Sequence, residues 1–334
     1  METTYQPRPT RYEEAAPYRR CGRSGVLLPP VSLGLWKNFG ANMELAHCRH
    51  MVEHAFDSGI THFDLANNYG PPYGAAEQTF GHILRTSLAP YRDELFIATK
   101  AGYDMWPGPY GNWGSRKYLT ASLDQSLKRM GLDYVDVFYS HRYDPNTPLE
   151  ETLQTLVDLV RSGKTLYAGI SRWPRHAVET ACRYLRNRDV PCLLYQGRLN
   201  LLDRSPLEEG TLALARDEGA GFVSFSPLAQ GLLTNRYLDG IPDDSRMLKE
   251  PNLRPEVLTP TLLERLKTLN RLAAERGETL AQMALAWVLQ QPGVTSVIVG
   301  ASRVSQLNDS LSCTRAAAFT HEELLRIDQA CTGL

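Results

Sequence analysis

No run of 18 apolar residues occurs anywhere in this 334-residue chain, so nothing in it is fitted to cross a bilayer as a helix. The first 17 residues are polar and mixed in charge, and they lack the apolar core of a secretory signal. Lys and Arg number 36 against 37 Asp and Glu, a net charge of −1 with no long basic block, which excludes nucleic acid as the main partner. The six cysteines (21, 48, 182, 192, 313, 331) contain no Cys-x-x-Cys pair, so the expectation is free thiols in a reducing cytoplasm. A Gly-x-Gly-x-x-Gly turn is also missing, and with it the usual mark of a doubly wound dinucleotide-binding sheet.

What is present is an ordinary globular composition, 43% apolar and 22% charged, in a chain long enough to bury a full core. Residues 1–17 read as a flexible lead-in. Residues 18–30 carry Cys21-Gly22-Arg23-Ser24-Gly25 between two short polar–apolar stretches, a hairpin pattern. A strand–helix rhythm then begins. The expected strands are 31–34, 62–65, 95–100, 134–141, 165–171, 192–196, 221–226 and 295–299. Helices are expected over 44–58, 75–88, 116–130, 148–162, 174–188, 207–218, 262–276, 279–290, 303–313 and 320–331, with an irregular segment over 227–260. Eight short apolar strands, seven followed closely by helix and one by the irregular segment and then helices, predict an α/β fold: a (β/α)8 barrel over residues 18–334, with the N-terminal hairpin and extra C-terminal helices. No shift in composition marks a second domain.

In such a barrel the active site lies at the C-terminal ends of the strands. Those ends carry Gly34 and Trp36, Asp64, Lys100, His141, Ser171, Gln196, Ser226 and Ser302. Tyr69 follows Asp64 by five residues, in a loop announced by Gly70-Pro71-Pro72. A free phenol, with a pKa of about 10, is a poor acid at neutral pH. A neighbouring lysine favours the phenolate, and the expectation is that Lys100 lowers the Tyr69 pKa while Asp64 holds Lys100 in place. His141 would orient a carbonyl oxygen.

These residues, in FDLANNYG, FIATKAG and FYSHR, resemble the tetrad of the aldo-keto reductases, and the resemblance spans about residues 18–331. Within that family SLGLWKNFG, THFDLANNYGPPYG, TKAGYDMWPGPYG, RKYLTASLDQSLKRMGLDYVD and SPLAQGLLT followed by GIPDDSRM resemble the bacterial reductases of L-glyceraldehyde 3-phosphate, relatives of the potassium-channel β subunits. The resemblance implies Tyr69 as general acid, tuned by Lys100, with Asp64 supporting the lysine and His141 positioning the substrate carbonyl. It implies hydride from NADP(H), lying against Trp36, Asp64, Ser171, Arg172 and Gln196. The segment Ser226, Leu228, Gln230 and Gly231 would cover the pyrophosphate, and Gly300, Ser302, Gln306 and Asp309 the adenosine end. Arg236, Arg246 and Arg303 are the cations available to a 2′-phosphate. Arg172 stands where many members have Asn, as in the channel-subunit branch. His141 stands where that branch has Asn, which favours a turning-over enzyme.

The substrate pocket is expected at Trp36, Tyr69, His141 and Trp106, the last in an aromatic loop over 104–114 that also holds Tyr110 and Trp113. Lys37 and Arg142 are the cations that could meet a substrate phosphate. Small aldehydes such as glyceraldehyde 3-phosphate or methylglyoxal are the implied substrates. A redox-sensing NADP scaffold like the channel subunits, and an alcohol-oxidising dehydrogenase, are the alternatives. A homo-oligomer is a family expectation. His47, His50 and His54 share one helical face, yet read as surface histidines, and no metal is expected. Cys182 and Cys192 read as small apolar residues.

Overall fold

Strands that are apolar on both faces need cover on both, and a closed barrel gives it: helices outside, packed side chains within. The computed structural model has this architecture, and it describes residues 5–243, 245–248 and 253–331, with the side chain of Arg246 outside the described set. A small antiparallel hairpin, β1 (Arg19–Arg20) and β2 (Leu27–Leu28), comes first. The barrel strands are β3 (Val31–Gly34), β4 (His62–Asp64), β5 (Phe96–Ala101), β6 (Val135–Ser140), β7 (Thr165–Ser171), β8 (Cys192–Arg198), β9 (Gly221–Phe225) and β10 (Val294–Val299). They pair in parallel in chain order, and β10 closes the ring between β9 and β3.

Two apolar clusters result. The larger lies between strands and helices, and the smaller fills the barrel with Ala98, Val137, Tyr139, Leu194, Val223 and Ile298. Cys21 and Leu28 of the hairpin join the inner cluster, so the hairpin floors the barrel. Gly22 makes that docking possible: its φ is +52°, and a Cβ there would sit 2.0 Å from the Gly219 carbonyl oxygen.

The helices start and stop where the local chemistry directs. α1 (Leu45–Asp57) and α2 (Ala75–Ile83) flank β4 in the chain. α3 (Arg116–Met130) opens with the Ser115 side chain accepting from Tyr118 N–H and ends at Gly131 in the left-handed region. α4 (Leu149–Arg161) has Glu150 and Glu151 in its first turn and buries Leu153, Leu156 and Val157. α5 (Arg175–Arg186) follows β7.

Where one helix was expected over 207–218 there are two, α6 (Ser205–Glu208) and α7 (Thr211–Asp217), because Gly210 breaks the run at φ +74°. The helix expected over 75–88 is α-helical to Ile83 and widens to a π turn over Leu84–Leu88. Strand limits shift by one or two residues: β8 runs on to Arg198, and His141 lies just past β6. The irregular segment holds short 3₁₀ turns at Ala229–Gly231, Asn235–Tyr237, Arg246–Leu248 and Pro255–Val257.

α8 (Pro260–Glu275), α9 (Leu280–Leu289), α10 (Val304–Ser312) and α11 (His321–Cys331) complete the order. α11 is tied to the α8 region by Arg326–Glu275 at 2.7 Å and Arg276–Glu323 at 2.6 Å. The described part of the expected loose lead-in is tied down as well. Tyr5 Oη donates to Asp57 at 2.9 Å, and Arg11 pairs with Glu94 at 2.5 Å. Among the described residues no helix is long and apolar enough to cross a membrane.

A polar thread runs through the inner core: Ser32 Oγ lies 2.8 Å from His62 Nδ1 and 2.6 Å from Ser296 Oγ. The other ring nitrogen of His62 is buried without a partner. Burial pushes His62 down to about 4, with Asp64 opposing and Lys100 adding to the fall. The unfolded chain takes this proton near pH 6.5 and the folded one only near 4. Stability is therefore full above pH 6.5 and declines on acidification, by about 3 kcal/mol once the folded pKa is reached. Urea unfolding at about pH 7 and about pH 4.5 checks this. His62→Gln should lose markedly less stability than wild type between the two; equal losses would contradict it.

Candidate active site at the barrel rim

Asp64 ends β4 and Lys100 is the penultimate residue of β5, so both side chains reach the top of the barrel interior. They are almost sealed from water, with Lys100 0% and Asp64 2% exposed. Two charges survive there only if their hydrogen bonds are complete. Lys100 Nζ donates to Asp64 Oδ2 at 2.7 Å, to the Leu65 carbonyl at 2.6 Å and to Tyr69 Oη at 3.2 Å, which uses all three N–H groups. The other carboxylate oxygen of Asp64 accepts from Gln196 Nε2 at 2.9 Å.

The chain between Asp64 and Tyr69 is held against β5 by Leu65 N–H to Ala98 O and Asn67 N–H to Lys100 O, both 2.9 Å. Asn67 Nδ2 donates to Tyr118 Oη at 3.0 Å and Ser122 Oγ at 3.2 Å, fixing the loop to α3. These contacts deliver a half-buried Tyr69 onto the lysine.

His141 leads out of β6 with its N–H on the Ala101 carbonyl at 2.9 Å. Its ring packs edge-on to Tyr69, centroids 6.0 Å apart, and to Tyr103 at 4.8 Å. Trp36 stands 6.4 Å from the Tyr69 ring and is 38% exposed, with Lys37 Nζ 4.6 Å above it.

The electrostatics correct one expectation. Tyr69 is not lowered: burial, then Asp64 and Tyr103, hold its pKa well above the free value, against the pull of Arg172. The desolvation of a buried phenolate outweighs the nearby cations. Lys100 is lowered, by burial first, with Asp64 opposing. His141 is held well below its free value by burial and then by Lys100, Arg172 and Arg142, so its imidazole is neutral. The rim therefore combines a neutral phenol, an ammonium beneath it and a neutral imidazole beside it. Such a set can give a proton to an oxygen.

The remaining residues fall into two groups. Ser171 ends β7 opposite Gln196 of β8, and its hydroxyl is buried without a partner. Arg172 follows at φ 56°, and Ser226, Ala229 and Gln230 after β9 have φ of 50°, 47° and 59°. The strained backbone thus sits past β7 and past β9, on either side of β8, and strain of this kind concentrates at ligand sites. Leu228 and Gly231 close that turn through a 2.8 Å backbone bond, and Gly300 is exposed just past β10.

The second group is less concentrated. Ser302 N–H and Oγ both bond Gln306 Oε1, at 2.9 and 3.0 Å. Asp309 accepts from Gln282 Nε2 at 2.7 Å, beside the Thr279 capping box of α9. Arg236 is half-buried in a turn capped by Thr234, Arg303 is exposed before α10, and the Arg246 side chain lies outside the described residues. Trp106 packs its ring on Tyr118 at 5.1 Å and so anchors the aromatic loop. His47 and His54 bond Ser302 O and Asn308 Oδ1.

Three contributions were not read from the sequence: the Leu65 carbonyl, Tyr103, and the Gln196 bond to Asp64 across 132 positions. Only Tyr103 carried a signal, as an aromatic three residues after Lys100.

Comparison with known proteins gives the family. The sequence model described as "Aldo/keto reductase family" matches residues 30–331. The chain is 54% identical over 325 residues to the L-glyceraldehyde 3-phosphate reductase of Escherichia coli (strain K12), covering 96% of this chain and 94% of that one. It is 35% identical over 300 residues to a probable voltage-gated potassium channel subunit beta of Arabidopsis thaliana, covering 88% and 90%. The chain belongs to the aldo/keto reductase family of oxidoreductases.

Proposed function

We propose that this enzyme reduces small aldehydes to alcohols with NADPH, with Tyr69 as general acid and glyceraldehyde 3-phosphate or a similar small aldehyde such as methylglyoxal as substrate. The observation that carries the reading is the Tyr69 hydroxyl lying 3.2 Å from an ammonium buried against Asp64, next to a neutral His141. The 54% identity to the reductase of Escherichia coli supports the substrate class.

A nicotinamide dinucleotide supplies hydride when bound. The residues present fit such a group. The unpartnered Ser171 hydroxyl and Gln196 suit a carboxamide, and the strained turn at Ser226, Leu228, Ala229, Gln230 and Gly231 suits a pyrophosphate. Trp36 and Arg172 flank the same rim. Gly300, Ser302, Gln306 and Asp309 suit the adenosine end, and Arg236, Arg246 and Arg303 are the candidates for a 2′-phosphate.

The protein's own part is proton delivery. His141, neutral, donates a hydrogen bond to the aldehyde oxygen and orients it towards Tyr69. Tyr69 gives its proton as the oxygen gains negative charge, and the phenolate left behind is met by Lys100 Nζ. Asp64 and Gln196 keep the lysine aimed upward. A phenol held protonated by its surroundings suits reduction better than the reverse oxidation, where it would have to act as base. His141 favours turnover over a sensing scaffold, and the unpaired thiols suit a cytoplasmic enzyme.

Tyr69→Phe should lower kcat about 10³-fold while the NADPH dissociation constant stays within a factor of three or so. Wild-type turnover in that variant would remove Tyr69 as the acid. Because Tyr69 is raised and His141 lowered, the limb set by Tyr69 lies above the free tyrosine value and the limb set by His141 below the free histidine value. With unphosphorylated glyceraldehyde the profile of kcat/KM should thus be flat from about pH 6.5 to about pH 9, and a limb centred near neutrality would contradict the assignments. NADPH should be preferred to NADH, and Arg236→Ala should raise the KM for NADPH about 10-fold more than that for NADH. A variant with the two changed equally would place the 2′-phosphate elsewhere.

A further inference from the structure

Next to His141, the group that orients the carbonyl, stands a guanidinium that takes no direct part in the proton transfer. Arg142 follows His141 in the chain and is clamped on every side but one. Its Nε donates to the Gly102 carbonyl at 2.7 Å and one Nη donates to Asn112 Oδ1 at 2.7 Å. The Trp113 ring lies 3.5 Å from the guanidinium carbon and the Tyr103 ring 4.4 Å from it. Both acceptors are neutral, and among the described residues no carboxylate pairs with Arg142, while Nη1 takes no partner.

The clamp is built from a loop that is itself fastened. Asn112 Oδ1 also accepts from Trp113 N–H at 2.7 Å, and Asn112 Nδ2 donates to Asp104. Beyond it, Gly114 N–H donates to Asp144 at 3.0 Å and the Gly114 carbonyl accepts from Thr152 at 2.8 Å. Trp113 holds its stacking position at φ 73°, a conformation that costs a non-glycine residue free energy. Strain kept in order to hold one side chain flat on another indicates that the held side chain has work to do.

An arginine whose rotamers are already fixed loses little entropy on meeting an anion, and its planar fork suits phosphate oxygens. Lys37, the other cation at the mouth, lies over the exposed Trp36 ring on a flexible stem. Arg142 is also the better placed. Tyr103 touches both its guanidinium and the His141 ring, the latter at 4.8 Å, so the cation is one ring away from the group that orients the carbonyl.

From this geometry we infer that Arg142, clamped between Tyr103 and Trp113, is the specificity residue that binds the phosphate monoester of a short phosphorylated aldehyde. The inference rests on the aldehyde-reductase reading and deepens it. The aldehyde oxygen would lie at the Tyr69–His141 pair and the phosphate at the free edge of Arg142.

The test compares glyceraldehyde 3-phosphate with unphosphorylated glyceraldehyde, NADPH being saturating, in wild type, Arg142→Gln and Arg142→Lys. The readout is the ratio of the two kcat/KM values, so a general loss of activity cancels. A charged hydrogen-bond pair corresponds to a fall in that ratio of about 30-fold in Arg142→Gln, with Arg142→Lys between it and wild type. The fall should sit in KM for the phosphorylated substrate. Inorganic phosphate should compete with that substrate in wild type and do so far more weakly in Arg142→Gln.

Trp113→Gly, which relieves the positive φ but removes one wall of the clamp, should lower the ratio by a smaller factor. Equal losses on both substrates, or an unchanged ratio, would overturn the assignment of Arg142. A wild-type enzyme that reduced both aldehydes equally well would remove the phosphate subsite and leave aldehyde reduction standing. One that reduced neither would instead remove the functional reading beneath it.

Discussion

The structure turns on one buried ion pair. Lys100 and Asp64 sit at the top of the barrel with almost no exposure, and burying two charges costs several kcal/mol per ion unless each is fully hydrogen-bonded. That requirement dictates much around them. The lysine needs three acceptors and finds them on β4, on the residue after β4 and on the following loop. The carboxylate needs a second donor and takes it from β8, on the opposite arc of the ring. Strand register, loop path and side-chain choice are therefore coupled at this point. The chemistry proposed for Tyr69 is a consequence of the same arrangement, because the phenol supplies the third acceptor.

The same rim shows how a rigid scaffold carries less regular parts. Of the six non-glycine residues with positive φ among the described residues, five lie past strand ends and in the loops over them, Arg172, Ser226, Ala229, Gln230 and Trp113, while Asp189 follows α5. Each is held by neighbours, such as Arg172 N–H on the Gln196 carbonyl at 3.1 Å. A (β/α)8 barrel tolerates this because its stability comes from the ring and its two apolar clusters, not from the loops. Arg142 illustrates the consequence: its orientation is set by loop residues that themselves hang on Asp144 and Thr152.

Much of this was legible in the sequence, for identifiable reasons. Apolar runs of strand length with helical periods between them gave all eight strands, and the hairpin showed in its glycines. Asp64, Lys100, Tyr69 and His141 stood out because polar residues ended apolar strands, and the structure brings those four together. Other features depend on three-dimensional surroundings. The direction of the Tyr69 shift follows from desolvation, which spacing does not report, and so the sequence suggested the opposite sign. Gly210 could be read as a stop or a tolerated glycine, and only its backbone angle decides. Trp106 and Trp113 look equivalent in a loop of glycines and prolines, yet one packs on Tyr118 and the other on Arg142.

Proton delivery at this rim depends on Tyr69 being a neutral acid, raised by its surroundings, above a buried lysine. Carbon-13 NMR of enzyme labelled at tyrosine Cζ, with Tyr69 assigned by its absence in Tyr69→Phe, measures this directly. The Tyr69 signal should stay at the protonated position beyond about pH 10, where a free phenol is half ionised. A signal that titrates near neutrality would contradict it.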